Sequence, residues 1–212
     1  MKAWWALLPF MLLPACTAPV ERQQQVHDAQ GRLRAEVRRM NGRKEGPVKF
    51  LDASGKLQAT GNYHEDSRSG TWITYGPASD TLSLMQFHQG RKEGLQAHWS
   101  TDGGLLRLER FRQGAPDGAL WRFFADGSAR QYTLYRNGQA DGPYLEWYKV
   151  DSTSVALTVG QFIQGKRSGT WRWVYGNGRP ASWGRYRHGE RAGPWLYWTP
   201  QGELRPIAWH GR

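Results

Sequence analysis

Cysteine is almost absent from this chain. Cys16 stands alone, so no internal disulfide can form and no cysteine-based zinc site can be assembled. Helical periodicity is scarce as well: beyond the first thirteen residues, few stretches hold apolar residues at i, i+3, i+4 and i+7 for long enough to make a helix. Like charges never run five in a row, although the net charge is +11. The basic groups therefore read as a surface spread through many turns, and nucleic acid is not expected as a partner. No Gly-x-Ser-x-Gly elbow occurs. The six His residues lack a second ligand at helical metal-binding spacing. His64 and His88 fall one period apart, but Arg112, Arg136 and Arg187 fill the same slot elsewhere, which makes it a solvated loop position. The carboxylates Glu45, Glu93, Glu109, Asp117 and Asp141 recur because the chain repeats, and nothing singles one out. The expectation is a protein without catalytic, metal or cofactor residues.

Aromatics and glycine are plentiful. Twelve Trp, nine Tyr and seven Phe accompany 26 Gly in 212 residues, a mixture that suits short strands and tight turns. The glycines are periodic. One series is Gly46, Gly70, Gly94, Gly118, Gly142, Gly169 and Gly193, spaced by 24 residues with a single step of 27. Four residues ahead of each lies Gly42, Gly90, Gly114, Gly138, Gly165 or Gly189, with Asp66 in place of glycine once. A third series, Gly31, Gly55, Gly103, Gly127, Gly178 and Gly202, falls between them. About seven units of strand, tight turn, strand and longer loop cover 31–204, with an insertion near Asp151–Ser154. A lone hairpin is only marginally stable, so neighbouring units must stack. The fold class expected is all-β: an elongated, single-layer antiparallel sheet of hairpin repeats.

The segments "GTWITY", "YRNGQADGPYLEWY", "GTWRWVYGNG" and "YRHGERAGPWLYW" resemble the MORN repeat, in particular the bacterial variant of YwqK-like proteins. The resemblance implies a scaffold or protein-binding surface, and some bacterial members are labelled antitoxins by analogy.

The N-terminus reads differently. In "MKAWWALLPFMLLPAC" an uncharged run from Ala3 to Leu13 follows Lys2. It is too short to span a bilayer and fits the apolar region of a secretory signal. Its end, Leu13-Pro14-Ala15-Cys16, resembles a bacterial lipobox. An ordinary cleaved signal is the alternative, but the only thiol stands where acylation would use it. Residues 1–15 are expected as signal peptide, 16–30 as a lipidated tether, and 205–212 as a C-terminal cap or tail. The resulting location is the bacterial envelope, with the outer membrane favoured because Thr17 replaces the aspartate that commonly retains lipoproteins at an inner membrane.

Within each unit, the residues three and five after the second glycine are apolar in twelve of fourteen cases, which predicts that they form the packed face. The residues two and four after it are mixed, except in the last two units. There Trp171, Trp173, Trp195 and Tyr197 make an aromatic cluster, expected either as a partner site or as a patch covered by sheet curl or by the C-terminal "LRPIAWHGR". Three functional classes follow. The first is a membrane-anchored binding or scaffold module contacting a protein or envelope polymer. The second is an antitoxin or immunity protein binding a cognate toxin. The third binds anionic lipid or polymer through turn arginines.

Overall fold

The computed structural model describes residues 19–151 and 155–211. Sixteen strands form one open sheet in strict chain order, each antiparallel to the next. The first eight are β1 (Glu21–His27), β2 (Leu33–Met40), β3 (Arg43–Leu51), β4 (Leu57–His64), β5 (Ser67–Tyr75), β6 (Thr81–His88), β7 (Arg91–Trp99) and β8 (Leu105–Arg112). Then come β9 (Ala115–Phe123), β10 (Ala129–Arg136), β11 (Gln139–Trp147), β12 (Val155–Ile163), β13 (Lys166–Tyr175), β14 (Pro180–Arg187), β15 (Glu190–Tyr197) and β16 (Ala208–His210). The described residues contain no helix. The protein is an elongated, single-layer sheet of hairpin repeats.

Along one edge, seven connections are two-residue turns with positive φ at both positions: Asn41-Gly42, Glu65-Asp66, Gln89-Gly90, Gln113-Gly114, Asn137-Gly138, Gln164-Gly165 and His188-Gly189. This is the backbone of a type I′ turn, whose twist matches that of paired strands. Asp66 keeps a φ of 64°, an angle that aspartate tolerates better than most residues. The sequence pattern read these segments as the longer loops. They are the tighter ones, because the strand resumes at once and absorbs the second glycine as a bulge. At Gly142, three residues (Asp141, Gly142 and Pro143) stand opposite Leu134 alone. With a φ of 135° there, and a Cβ position 2.8 Å from Leu134 Cδ2, only glycine fits. Gly46, Gly70, Gly94, Gly118, Gly169 and Gly193 also carry positive φ at the matching positions.

Each I′ turn is fastened to the unit before it. In the six turns from Glu65-Asp66 onward the amide of the second residue donates to a carbonyl of the preceding odd strand, as Gly90 to Arg68 (2.8 Å), Gly138 to Pro116 (2.8 Å) and Gly189 to Arg167 (3.0 Å), while in the first turn Asn41 donates to Val20. Carboxylates reinforce the joint. Glu45 accepts from the Glu65 amide at 2.9 Å, and Glu93 from that of Gln113 at 2.7 Å. The opposite edge is built from four-residue turns such as Phe124 to Gly127, closed by the Gly127 amide on the Phe124 carbonyl. The segment expected as a tether holds β1, which pairs with β2 along its full length. Its polar sequence suits an edge strand whose residues are all exposed.

The buried face is the opposite of the one expected. Val48, Trp72, Gln96, Leu120, Trp171 and Trp195, each two residues after a bulge glycine, are 0–4% exposed. Of the alternate set, Ala97 is buried, Lys49 and Arg172 are exposed, and the rest are half-buried. Apolar counting on one strand of each hairpin overlooked the return strand, which decides where a large ring can lie. At Gly61, Gly160 and Gly184 a Cβ would sit 2.2–2.3 Å from ring carbons of Trp72, Trp171 and Trp195. The indole takes the space a side chain would fill. Over the same rings stand the guanidinium groups of Arg68 (4.6 Å), Arg167 (4.6 Å) and Arg191 (4.3 Å). The return-strand aromatics wedge between successive indoles edge-on. Phe162–Trp171, Trp171–Tyr186 and Tyr186–Trp195 have centroids 5.2–5.8 Å apart and planes 71–87° apart. Units without tryptophan there lack both glycine and arginine: Gln96 faces Met85 beside Lys92, Leu120 faces Glu109 beside Pro116, and Tyr144 faces Thr133 beside Ala140.

Replacing Gly160 or Gly184 with alanine is expected to cost about 1–3 kcal/mol through overpacking and to strip hydrogen-exchange protection from the two strands that flank the residue. Protection unchanged from wild type would show that the indoles do not need the bare Cα.

The turn joint also titrates. Glu45 is held below its ordinary value by the Glu65 amide first and by His64 second, while the Glu45 bond raises His64. The raised histidine contributes fully below 6.5 and loses its contribution as pH rises through its folded value. The lowered carboxylate contributes fully above 4.5 and loses its contribution as pH falls through its folded value. The pair is therefore strongest between 4.5 and 6.5. An NMR titration should place the His64 midpoint above 6.5 and bring it down in Glu45→Gln. An unmoved midpoint in that variant would dismiss the pair.

Candidate functional site

Cys16 and the expected signal segment lie outside the described residues. The seven bulge glycines all have positive φ. Of the aromatic cluster, Trp171 and Trp195 are 0% and 1% exposed, whereas Trp173 and Tyr197 are half-buried. The four form a continuous packed group with Tyr144, Phe162 and Tyr186. The chain after β15 returns as β16, pairing Ala208 with Trp195 and setting the His210 ring edge-on to it at 5.8 Å. The two buried indoles are thus core residues, already covered by their own neighbours.

What stays open at this end lies elsewhere. Trp183 is 42% and Trp209 75% exposed. Trp183 stands on the reverse face, paired across the ladder with Arg172 on one side and Leu196 on the other. Arg172 and Trp183, with Thr170, Val174, Pro180 and Trp198, border a shallow groove of about 420 Å³. One cation beside apolar and aromatic walls can receive a ligand that offers a flat apolar surface and an acceptor. Neither Trp183 nor Trp209 was singled out from sequence. Reading only the strand after each bulge glycine passed over them.

A second feature interrupts the packed face at its middle. One row of cross-strand neighbours runs Ala35, Phe50, Ala59, Thr74, Ser83, His98, Arg107, Arg122, Gln131, Glu146, Thr158, Trp173, Ser182, Tyr197. Its ends hold small residues alternating with larger ones; its centre is charged. Beside it, Gln96 and Glu109 occupy inner positions at 0% and 2% exposure. Gln96 Nε2 donates to the Gln86 carbonyl at 3.1 Å, and its Oε1 is buried without a donor. Arg107 donates to Glu109 at 2.6 Å, while its buried Nε–H finds no acceptor. Burial first, and then the Arg107 charge, push the His98 imidazole below its ordinary value. Farther along, Tyr144 and Tyr148 both donate to Glu146 Oε2, at 2.5 and 2.6 Å. Burial and that bond to a carboxylate raise the Tyr144 hydroxyl well above the usual phenol range. Among the described residues no three His, Cys, Asp or Glu side chains gather as metal ligands.

Trp171→Ala should destabilise the protein by about 3–5 kcal/mol, whereas Trp183→Ala should shift stability by less than about 0.5 kcal/mol. Urea denaturation followed by tryptophan fluorescence separates them, and equal losses would contradict the division into core and surface indoles.

No family model and no curated protein matches the sequence. Among solved structures, a chain of a GtfA/B complex bound to UDP and GlcNAc is similar at 18% identity and a TM-score of 0.24. The match covers 61% of this chain and 26% of that one, so the protein spans about a quarter of that chain's length. A likeness at this level carries no argument about function.

Proposed function

We propose that the protein is a non-catalytic binding or scaffold module held at the bacterial envelope by acyl chains on Cys16, with the outer membrane as its site. The observation that carries this reading is a sheet one layer thick, ordered strand by strand from the N-terminal end to the C-terminal end. An anchor just ahead of β1 sets one end at the membrane. The exposed Trp183 and Trp209 lie near the other, so that fifteen strand spacings of about 4.8 Å place β16 roughly 70 Å along the sheet from β1. Such a body works as a spacer that displays a recognition end. The lipobox-like Leu13-Pro14-Ala15-Cys16 and the resemblance to MORN-variant repeats support the same reading. The partner, a protein or an envelope polymer, meets the groove bordered by Arg172, Trp183 and Trp198 rather than the buried Trp171 and Trp195.

Radiolabelled palmitate should enter the wild-type protein and be absent from Cys16→Ser, with membrane retention lost in parallel. Soluble, unlabelled wild-type protein would remove the anchor. In the anchored protein, Trp183→Ala should reduce partner capture about tenfold or more, as expected for an exposed aromatic anchor, and Arg187→Gln at the turn edge should not. Equal capture by Trp183→Ala and wild type would remove the groove as the contact.

A further inference from the structure

The centre of the packed face carries a feature that stability does not call for. In the row described above, the seven hairpin-to-hairpin pairs are Ala35/Phe50, Ala59/Thr74, Ser83/His98, Arg107/Arg122, Gln131/Glu146, Thr158/Trp173 and Ser182/Tyr197. Small residues occupy the first position in five of them. Only the fourth pair sets two cations directly opposite each other, an arrangement that destabilises a sheet. Glu109 offsets one charge by binding Arg107, itself lying at 3% side-chain exposure. Arg122 is exposed and makes no ion pair among the described residues. His98 is the next neighbour along the row, and Lys92 adds to the positive field around it. The Arg107 Nε–H is buried and unpaired.

We propose that Arg107 and Arg122, with His98 beside them, form a binding site for an oxyanion group carried on an extended acidic polymer lying across the strands. Two guanidinium groups on adjacent strands offer forked donors to a carboxylate, sulfate or phosphate. An anion between them removes the repulsion that the pair otherwise imposes. The row favours a linear ligand over a flat lipid surface. It is one side chain wide, advances about 4.8 Å per strand, and continues through Gln131 to the half-buried Trp173 and Tyr197. Glu146 does not oppose the ligand as a free carboxylate, because Tyr144 and Tyr148 both donate to it. This site lies on the face opposite Trp183 and does not require acylation of Cys16, so it stands or falls apart from the function proposed above.

The test uses the full chain carrying Cys16→Ser, so that acyl chains cannot contribute to vesicle binding. Polygalacturonate is the probe, neutral dextran the control, and phosphatidylglycerol vesicles the competing surface. Polygalacturonate should shift the NMR signals of the Arg107 and Arg122 side-chain Nε–H groups, and dextran should not. Arg122→Gln should weaken binding about tenfold, as expected for loss of one charge-assisted contact. Arg187→Gln, which removes an equal charge from the turn edge, should change it less than about twofold. Because Arg122 opposes Arg107 and makes no ion pair among the described residues, its replacement should leave the denaturation midpoint unchanged or raise it. Binding to vesicles alone, absence of polymer binding, or equal weakening by Arg122→Gln and Arg187→Gln would each overturn the proposal.

Discussion

A sheet one layer thick has no second layer to cover it, so its side chains must cover one another. In this chain the unit of coverage is an indole set in the space above a bare glycine Cα, with a guanidinium over the ring. The three positions depend on one another. A Cβ at the glycine would meet the ring carbons within 2.3 Å, and without the arginine stem a wide aromatic surface would face water. Where one member is missing, all three are. This explains how Trp171 reaches 0% exposure in a protein with no opposing layer or helix among its described residues.

The resulting stability is uneven along the array. One aromatic cluster joins Trp72 and Phe87 to Ala35, Val37 and Val48, and the other gathers round Trp171 and Trp195. Between them the polar Gln96, Glu109 and Thr133 alternate with the buried Phe111 and Leu120, and hydrogen bonds and an ion pair take over part of the work of the rings. Repeat arrays draw their stability from nearest-neighbour interfaces. The two ends are therefore natural cooperative units, and the middle is where opening costs least. The polar belt that offers chemistry is thus also the weakest joint.

Much of the architecture was legible in the glycines. Their spacing marks the repeat, and Asn137-Gly138 marks a turn that forms where the pattern puts it. The face was not legible from one strand. Ile73, Leu145 and Leu196 are apolar yet only half-buried, because both sides of a single layer carry some apolar surface. What decides the inward side is the pairing of large with absent side chains across the ladder: Trp72 with Gly61, Trp171 with Gly160 and Trp195 with Gly184. Reading both strands of each hairpin together would have exposed it. The tether expected ahead of Gly31 holds a strand because Glu21–His27 has a complete partner in β2, and composition alone does not reveal an available edge. Arg107 and Arg122 were invisible for a related reason. They are 15 positions apart in the sequence and become opposites only once the register is known.

The two edges of the sheet are held by different means. Along one, each two-residue turn gives an amide to the backbone of the unit before it, so a length change there breaks a joint as well as a loop. Along the other, neighbouring turns meet chiefly through side chains, as Lys56 does at the Pro77 carbonyl and Asn177 at that of Pro200. The one place where the repeat lengthens, between Asp151 and Val155, falls on this second edge. Such a body can take up added length along one margin, loop by loop, while the other keeps the ruler on which every unit is spaced.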